Sequence, residues 1–269
     1  MLRPLASTSF TLINRELRHS KKRPQLIQAR GYIKKSSSSF LSRLGSKKKS
    51  EEDDLKLYDH IVQVGDPVLR AKCAPVDPAD IPGAVIQSVI AQLIKIRERY
   101  AAVGVSAPQI GVPCRVSVVA CTEAELRLWP DADAAKQGMA AFPLTVLVNP
   151  TLKVTDNAVV SHRESCCSVN GLSAVVPRAR AVEVSYLDAE GKERTWAAKE
   201  WAARVLQHEL DHLNGVMFTD KMRSETLAFN YWETVNRRGG DFRLGFDGVG
   251  RSKSWRMSPM NFMKINQNV

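Results

Sequence analysis

Apolar residues recur at Ile86, Ile90, Leu93 and Ile96, the spacing of one helix face, and predict a helix over residues 80–103. Asp80 is its candidate cap, and Pro82 lies in the first turn, where a missing N–H is tolerated. The following GVSAPQIG, residues 104–111, cannot continue that helix through Pro108. It reads as a loop of small residues, with Gly104 either ending the helix or letting backbone approach a ligand. Residues 61–64 make a short strand-like start. Alternating and β-branched runs predict strands over 114–121, 144–148, 152–154, 159–167, 175–186 and 194–197. Turn pairs such as Asn149-Pro150, Asp156-Asn157 and Glu190-Gly191 separate several of them. Residues 122–142 lack a period and read as a surface insertion. A second helix spans 200–213 and stops at Asn214-Gly215; a third, over 224–236, offers Leu227, Phe229 and Trp232 for packing. Strands in a run with helices grouped at either end argue for an α+β fold.

Charge alters the domain picture. The 269-residue chain carries a net +11, which by itself suggests a nucleic-acid partner. Yet 13 of the 39 Lys and Arg, and only one of the 28 acids (Glu16), lie in residues 1–50. The rest holds 26 bases and 27 acids, so the expected folded part is nearly neutral and has no electrostatic footprint for nucleic acid. The leader is basic, Ser-rich and acid-poor, with Leu2, Leu5, Phe10 and Leu12 interspersed, the composition of a mitochondrial targeting segment. A basic arm touching RNA or a ribosome is the alternative. The switch from Lys47-Lys48-Lys49 to Glu51-Glu52-Asp53-Asp54 marks a solvated linker. The expected organisation is therefore a targeting segment and linker over 1–56, a catalytic domain over 57–239 and a loose tail over 240–269. No apolar run approaches the roughly 20 residues needed to span a bilayer.

Five cysteines are an odd number without framework spacing and read as reduced thiols. Cys73, Cys114 and Cys121 fit buried small hydrophobes. Cys166 and Cys167 are adjacent, a poor disulfide pair, and raise a metal question.

The strongest local signal is His208-Glu209-Leu210-Asp211-His212. Residues four apart share a helix face, so both imidazoles can reach one ion, with Glu209 beside them as a general base. Two unrelated surface or core histidines are the plain alternative. A catalytic metal needs a third protein ligand and an open position. The protease extension of this motif places Phe218 where a third histidine belongs, and Phe218 cannot coordinate. Glu225 and Glu233 are possible carboxylates without distinctive surroundings; Cys166, a thiolate donor on a strand, is the better candidate.

Three segments then converge. GVSAPQIG (104–111), ESCCS (164–168) and QHELDHLNG (207–215) resemble, in order and spacing, the three motifs of peptide deformylases, over roughly residues 58–236. Trp201-Ala202-Ala203-Arg204 and Tyr231-Trp232 look more like the animal mitochondrial branch. The resemblance implies strands, antiparallel or mixed, packed around a central H-E-x-x-H helix, with a further C-terminal helix. It implies removal of the formyl group from N-terminal formyl-methionine of newly made, mitochondrially encoded proteins in the matrix, releasing formate. Cys166, His208 and His212 would hold one divalent ion, Fe²⁺ or Zn²⁺, with Co²⁺ a further option. Glu209 would move the proton of the attacking water, while Gln109 and the backbone N–H of Cys167 would hold the oxyanion. Gly104, Trp201 and Arg204 would belong to the substrate site, and the mitochondrial ribosome is a further expected partner.

Three departures stand out. Cys167 replaces the usual bacterial Leu but keeps its N–H. Ser165 replaces a glycine. Arg204 replaces an apolar residue and lines either the substrate mouth or a solvated helix face. Asp211 either orients a ligand histidine or is an exposed helical acid, Trp201 is core or pocket wall, and His162 reads as structural.

Overall fold

The apolar stripe of the first helix is buried against a sheet, and that contact organises one half of the core. The computed structural model describes residues 57–248. The segment and linker expected over 1–56, and the tail beyond 248, lie outside the described residues. Helix α1 (Ala84–Tyr100) precedes strands β1 (Gly104–Ser106) and β2 (Val116–Cys121). Short helices α2 (Glu123–Leu126) and α3 (Asp131–Lys136) lead into the long strands β3 (Phe142–Ser165) and β4 (Leu172–Leu187). Strand β5 (Glu193–Lys199), helix α4 (Glu200–Leu213), strand β6 (Ala228–Phe229) and helix α5 (Trp232–Arg237) follow. The strands form one sheet in the order β1-β2-β3-β4-β5, with β6 on β4, and every pairing between them is antiparallel.

Ile86, Ile90, Leu93 and Ile96 of α1 pack with Val105, Val116 and Val118. A second cluster sets Ala203 and Leu206 of α4 against Val119, Leu147, Val182, Val184 and Ala198. A third gathers Cys166, Ala174 and Val176 with Leu69, Met217 and Phe218. Full burial of each large aliphatic side chain contributes about 1.5–3 kcal/mol, so the second cluster fixes α4 against the sheet as the first fixes α1. Helix α4 touches β1 through β5, which makes the histidine-bearing helix central.

Several boundaries differ from the sequence reading. Asp80 does not cap α1; it belongs to a 3₁₀ turn, Pro78–Asp80, capped by the Asp77 side chain, and α1 starts after Gly83. Ala101, at φ 48°, ends α1 in the left-handed conformation. Gly104 is therefore no helix cap, and 104–111 is strand β1 followed by a 3₁₀ turn, Ala107–Ile110. Residues 61–64 join no strand, and the chain turns at Val64, with Val62 N–H bonding Gln109 O and Val64 N–H bonding Ser168 O. The expected insertion contains α2 and α3; Thr122 and Glu125 form a reciprocal capping box at the start of α2, a signal present in the sequence.

Three expected strands are one. Asn149-Pro150 and Asp156-Asn157 do not turn the chain; register shifts between Val148 and Thr151, and from Val154 to Val159, absorb them as irregularities within β3. Asn149 takes φ 51°, and its side chain clamps the N–H and C=O of Val76. Strand β3 stops at Ser165, which leaves both adjacent cysteines in the turn beyond it. The third helix also gives way. Its first half is a 3₁₀ turn and β6, because Ala228 and Phe229 pair with Ser173 and Leu172. Leu227 and Trp232 are exposed rather than packed. The three remaining cysteines are buried as expected, and burial pushes the Cys73 thiol up to about 12 and Cys121 to about 11.

Candidate metal centre

Strand β5 runs into α4 without a loop, the reversal falling on Glu200 at φ 50°. This launches α4 across the sheet with His208 and His212 one turn apart, their rings 5.0 Å between centroids. The turn after β3 brings Cys166 to the same place. Its Sγ lies 3.3 Å from His212 Nε2, and one ligand atom from each of Cys166, His208 and His212 lies within 4.8 Å of the others. Neither Glu225 nor Glu233 joins this group.

Charge at the cluster suits a cation. Burial pushes the Cys166 thiol up, but His212 and His208 more than offset it and hold the thiol at about 5. Burial pushes His208 down, and Cys166 and Glu164 overcome that, raising it well above the ordinary histidine value. The sulfur is thus favoured in its anionic, metal-binding form, and the anionic neighbours that raise His208, Cys166 and Glu164, would equally favour a divalent cation in place of a proton. His208 Nδ1 is 3.0 Å from Glu164 Oε2, which leaves Nε2 for coordination. A soft thiolate with two imidazoles fits Zn²⁺ or Fe²⁺.

Glu164 is the residue the motif reading passed over. It is buried, and Arg178 grips it with Nε 2.9 Å from Oε1 and Nη2 2.8 Å from Oε2. Arg204 Nη1 adds a third contact, 2.6 Å from Oε1. Burial pushes the Glu164 carboxyl up, but Arg178 and His208 dominate and keep it well below the usual carboxylate range. Arg178 also pairs with Asp211, which Lys221 Nζ approaches to 2.6 Å. The signal for Glu164 was its place two residues before Cys166; nothing in the sequence pointed to Arg178.

Arg204 therefore does not lie on a solvated face. It is 5% exposed, and its remaining contacts are the carbonyls of Val176 and Val160. Asp211 is likewise no exposed acid: it is buried and supports Glu164 through Arg178, not a histidine directly. Trp201 is buried edge-on to Trp129 and beside Phe142. His162 is half-buried on β3, and burial, with Arg204 and Lys136 nearby, lowers its pKa.

Glu209 is buried on the β1 side of α4. Ser106 Oγ–H donates to its Oε2 at 2.7 Å, and Ser117 Oγ backs Ser106 at 2.7 Å. Burial above all raises the Glu209 carboxyl above the ordinary carboxylate value. A Cβ on Gly104 would fall 2.4 Å from Glu209 Oε1, so a glycine there is a packing requirement of the carboxylate. Gln109 accepts from Ser106 N–H through Oε1 (2.8 Å), and its Nε2 points to Cys166 Sγ (3.6 Å) and Ser168 Oγ (3.3 Å). The side chain of Cys167 packs against the α1 cluster and is not one of the three converging ligands, and its carbonyl accepts from Gln63.

A buried thiolate and two imidazoles, with a raised carboxylate and a side-chain amide converging on them, define a metal-dependent hydrolase site. The family model described as Polypeptide deformylase matches residues 58–228. The human mitochondrial peptide deformylase is 46% identical over 179 residues, 66% of this chain and 74% of its own length. Peptide deformylase 1A, chloroplastic/mitochondrial, of Arabidopsis thaliana is 40% identical, covering 70% and 68%. A Met-Ala-Ser-bound class I type b peptide deformylase from Acinetobacter baumannii aligns with TM-score 0.54 at 26% identity, over 60% of this chain and 96% of that one. The chain belongs to the peptide deformylase family: metal-dependent hydrolases that remove the formyl group from N-formylmethionyl peptides.

Proposed function

We propose that Cys166, His208 and His212 hold one divalent ion, Fe²⁺ or Zn²⁺ with Co²⁺ able to substitute, and that Glu209 carries the proton through the deformylation. The observation behind this reading is the convergence of three ligand atoms within 4.8 Å beside a buried carboxylate. An ion held there supplies Lewis acidity for water attack on the formyl carbon. Ser106 steadies Glu209 Oε2, leaving Oε1, on the Gly104 side, to take the water's proton. As the carbon–nitrogen bond breaks, Glu209 delivers that proton to the methionine nitrogen, and formate leaves. The Gln109 amide and the Cys167 N–H hold the negative oxygen of the tetrahedral intermediate.

Gly104 lies on β1, the end strand of the sheet order, which among the described residues pairs with β2 alone. An extended peptide laid along its open edge would gain backbone hydrogen bonds without selection of the residues after methionine. We read Trp201 and Arg204, both buried, as supporting the pocket rather than touching the peptide. We place the reaction in the mitochondrial matrix, on nascent chains near the ribosome, from the composition of residues 1–50 and the mitochondrial relatives.

Purified protein should release formate from formyl-Met-Ala and lose this with Glu209→Gln while keeping its metal. Hydrolysis of unformylated peptides without formate release would replace this reading with a general metallopeptidase.

A further inference from the structure

The family match stops at residue 228, yet the chain beyond it folds back onto the turn that carries the metal cysteine. Residues 242–245 alternate, Phe242 and Leu244 half-buried and Arg243 and Gly245 exposed, without joining the sheet. Phe242 stacks on Tyr231, with ring centroids 5.3 Å apart, and meets Phe229 edge-on at 5.8 Å. Asn170 Nδ2 donates to Gly245 O at 2.7 Å. Tyr100 O–H donates to Phe246 O at 2.8 Å, and Arg99 holds Asp247 O through two N–H groups. Gly171, at φ +82°, has no room for a Cβ because Phe229 and Leu244 close over it.

The turn so covered positions the chemistry. Ser168 N–H points to Cys166 Sγ at 3.4 Å, and Val169 N–H bonds Cys166 O at 2.9 Å. On its other flank the turn is tied by Gln63 to Cys167 O and by Val64 to Ser168 O. On the far side Asn230 N–H bonds Gly171 O at 2.8 Å, and the contacts of 242–248 at Asn170 and Gly171 add to it. We propose that residues 242–248 form a strap that positions the Cys166–Gly171 turn, with Phe242 its anchor and Asn170 the positioning residue through which it acts. This rests on Cys166 being a metal ligand. A displacement of about 1 Å in a reacting group can cost on the order of a hundredfold in rate, so a strap remote from the chemistry can govern it.

The test uses the full chain loaded with zinc, comparing Phe242→Ala, Phe242→Leu and Asn170→Ala. Hydrogen exchange, the rate of zinc loss to a chromogenic chelator, and kcat and KM on formyl-Met-Ala are read together. Phe242→Ala should speed exchange within the strap and by about tenfold or more at the amides of 168–172. It should also hasten zinc loss several-fold and lower kcat more than it changes KM; Phe242→Leu should restore most of this, and Asn170→Ala should reproduce the effect on the turn. Faster exchange in the strap with unchanged turn exchange and zinc loss would overturn the proposal. So would unchanged exchange in the strap itself, since these contacts would then not hold it. If Phe242→Ala does not fold, Asn170→Ala carries the same expectation. Failure of zinc to bind at all would instead refute the metal assignment.

Discussion

Glu164 Oε2 lies 3.0 Å from His208 Nδ1. That contact fixes which nitrogen of the imidazole faces the sulfur of Cys166, and it explains why a carboxylate is buried beside a metal cluster. The two guanidiniums of Arg178 and Arg204 leave Glu164 charged inside the protein, so it accepts from His208 rather than competing for the ion.

Replacing Glu164 with Gln keeps the shape but removes the charge that orients His208. Metal affinity should fall by about 10–100-fold, the usual cost of losing such a partner. Chelator competition on the purified variant measures it; unchanged affinity would show that the helix alone orients His208.

Glu209→Gln should leave metal content at the wild-type level and reduce kcat by about 10²–10⁴, the range for losing a general acid–base group. Metal analysis beside formate assays separates the two effects. A loss of metal would recast Glu209 as a support of the ligands.

Gln109→Ala removes an amide aimed at the cluster and the acceptor of Ser106 N–H. A fall in kcat of about 10²–10³ with little change in KM is expected for an oxyanion donor. If KM rises and kcat holds, Gln109 is binding substrate in its ground state.

Gly104→Ala should damage catalysis through Glu209. The added methyl would meet the carboxylate at 2.4 Å, and either β1 or Glu209 must shift. The crystal structure of the variant and its kcat together decide this, and an active variant with an unmoved Glu209 would contradict the tight approach.

Arg204→Met should destabilise the fold by about 3–5 kcal/mol, since one partner of a buried ion pair is removed and a charge is left under-compensated. Two backbone carbonyls, of Val160 and Val176, lose their donor as well. Denaturant unfolding of the metal-free chain checks the magnitude; a loss confined to KM would return Arg204 to the substrate mouth.

Features held within one turn of chain were legible in the sequence. The α1 stripe, α4 and the shared face of His208 and His212 follow from helical period alone. Cys166 stood out as a donor by its chemistry, but its meeting with His208 and His212 needed the family resemblance, because no periodic rule connects a turn after β3 to a helix more than forty residues on. The long β3 was read as three strands, since Asn-Pro and Asp-Asn signal turns locally; pairing along β4 on one side and β2 on part of the other outweighs that preference. Residues 224–236 were read as helix because their apolar spacing permits it, whereas β4 offered backbone partners to Ala228 and Phe229.

Residue identity and spacing by themselves determined which atoms can ligate a metal and which helix carries two of them, for side-chain chemistry and the 3.6-residue period are local properties. Tertiary structure alone decided the company each charge keeps: Arg204 beside Glu164, Asp211 behind Arg178, residues 242–248 over the cysteine turn. Burial makes an unpaired charge too costly to persist, so partners are chosen by whichever distant segments the core brings together. That choice is written in the packing of β3, β4 and α4 and in no single stretch of chain.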